Sequence, residues 1–288
     1  MDAAFAVGAA INLAFVIAEA GFGLAANSVA LVADAAHNLG DVLALLLAWA
    51  AAWLTRRPPT ARRTYGWGRS SILAALVNAA VLLIGVGAIG IEAIQRLLAP
   101  EPVASGIVMV VAAVGIVVNG GTALLFMRDR EHDLNVRAQF QHLAGDALVS
   151  AAVVVAALAI RLTGLTWLDP VASLGVVVVI VAATWSTLRE SLDLSLDAVP
   201  SRLRHEEVSG WLAALPGVSE VHDLHIWALS TTETALTAHL VCGGDFAERS
   251  LDGLAAALHE RFRIGHTTIQ IESEMDAAVC RLRPAGIV

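Results

Sequence analysis

Two His–Asp pairs stand inside otherwise apolar stretches of the sequence. His37 and Asp41 lie in AlaAspAlaAlaHisAsnLeuGlyAsp, and His142 and Asp146 lie in GlnHisLeuAlaGlyAsp. Residues four apart share one face of an α-helix, so each pair presents an imidazole and a carboxylate together. Two such faces supply two nitrogens and two oxygens, a tetrahedral donor set suited to Zn²⁺. Imidazole also suits Co²⁺ and Ni²⁺, whereas Mg²⁺ and Ca²⁺ prefer oxygen ligands.

The apolar surroundings favour a metal site over simple packing. One His-x-x-x-Asp pair could be a capping or packing pair, but two pairs occur in different apolar stretches at matching depth. Unpaired ionisable groups inside a lipid bilayer are costly, and a shared cation removes that cost. Asp34 lies one turn before His37, and Glu19 stands in the first apolar stretch. Both are candidates for orienting the ligands or for passing protons, with structural hydrogen bonding as the alternative.

The composition identifies an integral membrane protein. Of the 288 residues, 57% are hydrophobic and 15% are charged, whereas soluble proteins have about 45–50% and about 25%. The net charge is −8 with no basic tract, which excludes a nucleic-acid partner and leaves the lipid bilayer as the expected one. Six stretches are long enough to span a bilayer, at roughly 3–25, 29–54, 70–97, 103–127, 138–161 and 167–189.

Arginine placement predicts the orientation of the spans. Seven arginines lie in the two loops of one side and only two on the other side: Arg56, Arg57, Arg62, Arg63, Arg128, Arg130 and Arg137 against Arg96 and Arg161. By the positive-inside rule, both termini are therefore cytoplasmic. The N-terminal stretch lacks a basic start and a cleavage site, so we expect it to be retained as the first span.

From Pro200 the sequence has the composition of a soluble domain. We therefore predict a transmembrane domain at 1–199 and a cytoplasmic domain at 200–288. Periodicity predicts the order α-β-β-α-β, a ferredoxin-like α+β domain with elements at 202–215, 218–229, 234–242, 246–262 and 266–271. Strand alternation predicts that His222 and His225 point to opposite faces of the sheet.

Four segments resemble the cation diffusion facilitator family, and the match covers nearly the whole chain. They are LeuValAlaAspAlaAlaHisAsnLeuGlyAsp, TyrGlyTrpGlyArgSer, AspLeuAsnValArgAlaGlnPheGlnHisLeuAlaGlyAsp and AspLeuHisIleTrp. The resemblance is closest to the bacterial, zinc-exporting CzcD/ZitB-like branch. It implies a homodimer in the bacterial inner membrane that exports Zn²⁺ from the cytoplasm in exchange for protons. The alternative is an exporter that carries Cd²⁺, Co²⁺ or Ni²⁺ as well as, or instead of, zinc.

The resemblance also implies two sets of metal ligands. The transport site carries over to His37, Asp41, His142 and Asp146. A regulatory zinc site in the C-terminal domain carries over to His222, His239 and Glu272, with His266 as a further candidate. The Cys-x-x-Cys tail of some relatives is missing, because Cys280 stands alone.

Two other classes of protein fit the residues less well. An intramembrane zinc hydrolase needs an open coordination position and a general base, but four ligands with no spare Glu beside them leave neither. A metal sensor needs no metal site at the centre of the membrane. We therefore expect a transporter and not an enzyme.

Overall fold

Six long helices and a three-stranded sheet form the described part of the chain. The structure is a computed structural model, and it describes residues 3–126, 134–243, 251–280 and 282. Side chains are described throughout these ranges except at 3–12, 45, 48, 125–126, 134–142, 251–252 and 279. The chain forms two compact units, one from Met1–Leu46 and Asn78–Ser186 and the other from Leu47–Val77 and Thr187–Val288. The predicted domain boundary at residue 200 stays a prediction.

The long helices follow the predicted apolar stretches. They are α1 Ala3–Ala25, α2 Val29–Thr55, α3 Ser70–Leu98, α4 Ser105–Phe126, α5 Leu134–Thr163 and α6 Leu168–Ser195. Over the described residues, α2 to α6 are long and apolar enough to cross a membrane, and α1 has 23 residues. The predicted membrane architecture is confirmed. Arg128 and Arg130, used above for orientation, lie outside the described residues, as does the side chain of Arg137.

The sixth helix is longer than its apolar stretch. We predicted an end at residue 189, but α6 continues to Ser195. Its last turns carry Arg189 and Asp193, whose side chains pair four residues apart at 3.9 Å. Hydropathy indicates where a helix can contact lipid, whereas the helix itself ends where its backbone hydrogen bonds end.

The start of α2 is held by a carboxylate from α6. Asn27 adopts a left-handed φ of 55° between α1 and α2. The buried Asp169 accepts hydrogen bonds from the Ser28 hydroxyl and from the backbone N–H groups of Val29, at 2.8 Å, and Ala30, at 3.4 Å. A carboxylate here satisfies the exposed N–H groups of the helix and complements its dipole. Asp169 therefore fixes the beginning of the helix that carries His37.

The C-terminal domain is a mixed three-stranded sheet with α-helices packed against it. Its elements are α7 His205–Ala213, β1 Val218–Ala228, β2 Thr234–Cys242, α8 Leu251–Phe262, β3 His266–Glu272 and α9 Glu274–Val279. β2 lies in the centre, antiparallel to β1 and parallel to β3. The core joins leucines of both longer helices to the strands, through Leu212, Leu258, Leu224, Leu236 and Leu240. The predicted ferredoxin-like domain is confirmed, with α9 as an addition. Residues 246–250 of the predicted second helix lie outside the described residues.

The loop between α2 and α3, residues 56–69, packs on the β1–β2 hairpin of this domain. Thr231 donates its backbone N–H to the Ser71 hydroxyl at 3.1 Å, at the beginning of α3. The Arg69 guanidinium forms an ion pair with Asp197, just beyond α6. Gly68 lies so close to Leu229 that an added Cβ would stand 2.6 Å from the Leu229 carbonyl oxygen. The second compact unit therefore includes the ends of α2 and α3 that flank this loop.

We expect Gly68→Ala to destabilise the second unit by about 1–3 kcal/mol, because the methyl group must displace a backbone carbonyl. The measurement is thermal unfolding of the purified protein in detergent, with Gly87→Ala as the matched control. Gly87 has no atom within 4 Å of the position of a Cβ, so its substitution should be neutral or slightly stabilising. Equal unfolding temperatures for the two variants would contradict the close packing.

Candidate metal centres

Three of the four predicted transport-site residues converge inside the first unit. His37 Nε2 on α2 lies 3.2 Å from Asp146 Oδ1 on α5 and 4.0 Å from Asp41 Oδ2. One donor atom from each of the three residues lies within 4.8 Å of the others. The side chains are 16%, 7% and 31% exposed for His37, Asp146 and Asp41 respectively. His142 lies one turn before Asp146 on α5, but its side chain is outside the described residues.

A second pair of carboxyl groups lies beside this cluster. Asp34 and Glu19 are fully buried. Asp34 accepts a hydrogen bond from the Ser150 hydroxyl at 2.9 Å, and Glu19 accepts one from the Asn38 amide at 3.1 Å. One oxygen of each group, Glu19 Oε1 and Asp34 Oδ1, is buried without a hydrogen bond within the described residues.

Four residues of metal-ligating types converge in the C-terminal domain. They are His222, His239, Glu272 and Cys280, with one donor atom from each within 4.8 Å of the others. His239 Nδ1 lies 2.9 Å from Glu272 Oε1 and 3.8 Å from the Cys280 sulfur. His222 Nε2 lies 3.4 Å from Glu272 Oε2. Imidazole, carboxylate and thiolate are the ligand types of four-coordinate zinc sites.

Sheet register explains why His222, His239 and Glu272 share one face. His222 on β1 stands directly opposite His239 on β2, and Glu272 on β3 is opposite Val241, two residues beyond His239. The prediction that His222 and His225 point to opposite faces is wrong. A register shift between them, with Asp223 at a φ of 49°, inserts a β-bulge. The extra residue of the bulge puts His225 on the same face of the sheet as His222. The partner of His225 is Thr237, which lies two residues from His239 on β2 and therefore on the same face.

Cys280 reaches the cluster because α9 turns the chain back over the sheet. Ser273 and Asp276 form a capping box at the beginning of α9. The Ser273 hydroxyl and backbone N–H donate to the Asp276 carboxylate, which lowers the pKa of that carboxyl. α9 then contacts β2 and β3, and Cys280 follows its last turn. The sequence signal that was available is this Ser-x-x-Asp box between Glu272 and Cys280.

The structure does not bring His266 into this cluster. His266 begins β3 and pairs with Ala235, which lies four residues before His239 on β2. Its ring packs edge-on against Tyr65 at 5.3 Å, within the same unit. His266 and Glu272 lie at opposite ends of β3. Because each strand residue advances the chain by about 3.3 Å, His266 is too far from Glu272 to share a metal with it.

The C-terminal cluster contains buried nitrogen and oxygen atoms that a bound cation could coordinate. His222 has a side chain only 8% exposed, and neither of its nitrogens makes a hydrogen bond within the described residues. Glu272 Oε2 is likewise buried without a hydrogen bond there. Buried polar atoms without partners are uncommon in folded proteins and often indicate an ion. The residues present therefore fit a divalent metal.

Comparison with known proteins identifies the family. Residues 5–194 match the cation efflux transmembrane domain, and residues 200–274 match the cytoplasmic domain of cation efflux proteins. The chain belongs to this family, the cation diffusion facilitators. It is therefore a membrane transporter for metal cations and not an enzyme.

The relatives carry names of metal exporters. The metal cation efflux system protein CzcD of Cupriavidus metallidurans is 37% identical over 268 residues, 91% of this chain and 84% of the relative. The zinc transporter ZitB of Escherichia coli is 36% identical over 265 residues, with 91% and 84% covered. The cadmium, cobalt and zinc/H(+)-K(+) antiporter of Bacillus subtilis is 30% identical over 265 residues, with 90% and 85% covered. The solved metal-bound C-terminal domain of CzcD is 39% identical and covers 24% of this chain and 99% of its own, at a TM-score of 0.23.

Proposed function

We propose that the chain exports Zn²⁺ in exchange for protons, with the metal bound as substrate by His37, Asp41, His142 and Asp146. The observation that supports this most is the approach of His37 Nε2 to the Asp146 and Asp41 carboxylates, at 3.2 and 4.0 Å, across α2 and α5. An imidazole beside two carboxylates at this depth is costly without a cation. His142 supplies the second nitrogen by its i,i+4 relation to Asp146.

Proton exchange follows from the chemistry of the ligands. Metal binding requires neutral histidines and ionised aspartates, so loading the site releases protons and protonation releases the metal. Unperturbed histidine titrates near pH 6.5, within the physiological range. A site that opens alternately to the two sides of the membrane would then couple metal movement to proton movement.

Glu19 and Asp34 are proposed to take part in the proton path. Both carboxyl groups are fully buried, and Asn38, the partner of Glu19, follows His37 directly on α2. Asp34 is connected to α5 through Ser150. A proton held by this pair stands beside the metal ligands without occupying them.

The membrane arrangement is part of the same proposal. We infer a homodimer in a bacterial inner membrane, with both termini and the C-terminal domain in the cytoplasm. The arginines of the α2–α3 loop support this orientation under the positive-inside rule. Zinc would then enter from the side that carries the C-terminal domain.

A broader substrate range is the second candidate. The printed name of one relative, at 30% identity, includes cadmium and cobalt as well as zinc. Imidazole and carboxylate ligands also accept Co²⁺ and Ni²⁺. Competition by Cd²⁺, Co²⁺ and Ni²⁺ against zinc flux separates a zinc-selective exporter from a broader one.

Zinc flux into proteoliposomes with an imposed pH gradient tests the proposal. We expect flux that depends on the gradient and that Asp41→Ala abolishes, because the substitution removes a charged ligand. Asp193→Ala is the matched control, since Asp193 is exposed at the end of α6, and it should transport normally. Flux that is independent of the gradient would contradict proton coupling, and normal flux in Asp41→Ala would contradict the site.

We further propose that His222, His239, Glu272 and Cys280 bind a regulatory zinc ion. Bound zinc would join the three strands to the residue that follows α9. It would also coordinate a buried nitrogen of His222 that has no hydrogen bond among the described residues. Cys280 replaces His266 in this proposal, because its sulfur lies 3.8 Å from His239 Nδ1. As a thiolate, Cys280 would be a stronger zinc ligand than the serine hydroxyl that replaces it in Cys280→Ser.

We expect Cys280→Ser to weaken zinc binding to the C-terminal domain by at least about 10-fold. Binding of Co²⁺ to the purified full chain, followed by its visible absorption, reports whether a thiolate is a ligand. Cys242→Ser is the matched control. Burial raises the pKa of the Cys242 thiol, and Cys242 is outside the four-residue cluster. A thiolate absorption band that survives Cys280→Ser would contradict this ligand.

A further inference from the structure

The α2–α3 loop concentrates positive charge in an acidic protein. It carries Arg56, Arg57, Arg62 and Arg63, all exposed. The sequence contains no acidic residue between Asp41 and Glu92, although the net charge of the chain is −8. In the part of the chain that the structure describes, none of these four guanidinium groups forms an ion pair. These four arginines thus form a cationic surface without a counter-charge among the described residues, whereas Arg69 at the end of the loop pairs with Asp197.

Local structure holds two of these arginines in a fixed turn. Thr60 and Arg63 exchange backbone hydrogen bonds at 3.0 and 2.9 Å, and the Thr60 hydroxyl also accepts the Arg63 N–H at 3.1 Å. Pro58 and Pro59, directly before the turn, restrict the backbone to extended conformations. Arg62 and Arg63 are therefore held at neighbouring positions of one turn.

Two tryptophans orient the guanidinium groups. The Arg57 guanidinium carbon lies 4.1 Å from the ring centroid of Trp53, and that of Arg63 lies 3.9 Å from the ring of Trp67. Stacking uses the face of the guanidinium and leaves its N–H edge available to donate. Trp53 stands in the last turns of α2, and Trp67 stands three residues before α3.

The position of the loop determines which anion is available to it. α2 and α3 are membrane-spanning helices, and the loop joins their ends on one side. Tryptophans at span ends lie at the depth of the lipid headgroups. Phosphate is the anion at that depth, and the planar edge of arginine donates two hydrogen bonds to it.

We propose that the α2–α3 loop binds the phosphate of an anionic phospholipid through Arg57, Arg62 and Arg63. The positive-inside rule explains why the loop is basic, but it is satisfied equally by lysine or arginine and requires no stacking. The fixed turn and the two arginine–tryptophan pairs are the features that point to a binding site. This inference does not depend on the metal that the protein transports.

Native mass spectrometry of the detergent-solubilised full chain, titrated with phosphatidylglycerol, tests the proposal. We expect Arg62→Gln/Arg63→Gln to lower the apparent affinity at least about 10-fold, since it removes two charge-assisted contacts to the lipid phosphate. Arg62→Lys/Arg63→Lys keeps the charge and the membrane orientation, and it should bind more weakly than wild type. Arg189→Gln, at an arginine 78% exposed at the end of α6, should bind like wild type.

Three outcomes would overturn the proposal. Wild-type affinity in the glutamine variant would show that the loop is not the site. Equal binding of zwitterionic phosphatidylcholine would show that no anionic headgroup is recognised. Displacement of the lipid by inorganic phosphate at an equal concentration would indicate a site for a free anion.

Discussion

Asp146→Asn is expected to lower the affinity of the intramembrane site for Zn²⁺ by at least about 100-fold, because even groups that only support a metal ligand contribute 10–100-fold. Asn keeps the shape of the side chain but removes the charge that faces His37 Nε2 at 3.2 Å. Asp146 is also the most buried of the three proposed ligands whose side chains are described. Loss of this carboxylate leaves a dication with one negative ligand in a low-dielectric site.

Isothermal titration calorimetry of the purified protein measures this effect. The reference protein and the Asp146→Asn variant both carry His239→Ala. This substitution disrupts the C-terminal cluster, so that the measured heat reports the intramembrane site. Asp193→Asn, at a carboxylate 54% exposed, is the control and should bind zinc normally. Unchanged affinity in Asp146→Asn would place the metal elsewhere.

Asp169→Ala is expected to destabilise the transmembrane unit by about 2 kcal/mol, since it removes a helix cap and leaves buried donors unsatisfied. The carboxylate accepts from the Ser28 hydroxyl and from Val29 N and Ala30 N. It is only 2% exposed, so water does not replace it easily. The unfolding temperature in detergent should fall by several degrees.

The stabilisation of the folded protein by bound zinc provides a second measurement for Asp169→Ala. Asp169 holds the beginning of α2, about two turns before His37, so a loosened start should also reduce the stabilisation that bound zinc provides. Asp193→Ala is again the control and should leave the free energy of unfolding within about half a kcal/mol of wild type. A wild-type unfolding temperature for Asp169→Ala would contradict the cap.

Each His–Asp pair of the intramembrane cluster could be predicted because its information is local. His37 and Asp41 share a helix face through their i,i+4 spacing alone, and so do His142 and Asp146. The approach of α2 to α5 is a tertiary fact that spacing does not contain. The cap from Asp169 to α2 was missed for the same reason. Asp169 lies in the first turn of α6, whereas the backbone N–H that it accepts from, that of Val29, lies 140 residues away.

In the C-terminal domain, backbone irregularities limited the prediction. Strand alternation assumes an unbroken ladder, and the bulge at Asp223 reverses it between His222 and His225. Cys280 looked isolated because its distance from Glu272 along the chain fits no short metal motif. Only the capped turn of α9 returns it to the sheet. His266 is on the same strand as Glu272 but at its other end.

The most direct test of the account is X-ray absorption at the zinc edge of the loaded protein with His239→Ala and Cys280→Ser, which leaves the intramembrane site as the metal centre. We predict four nitrogen or oxygen neighbours at about 2.0 Å, with an imidazole contribution that falls by half in His37→Ala. A shell of six oxygens, or a spectrum that His37→Ala does not change, would contradict a tetrahedral site of two histidines and two aspartates.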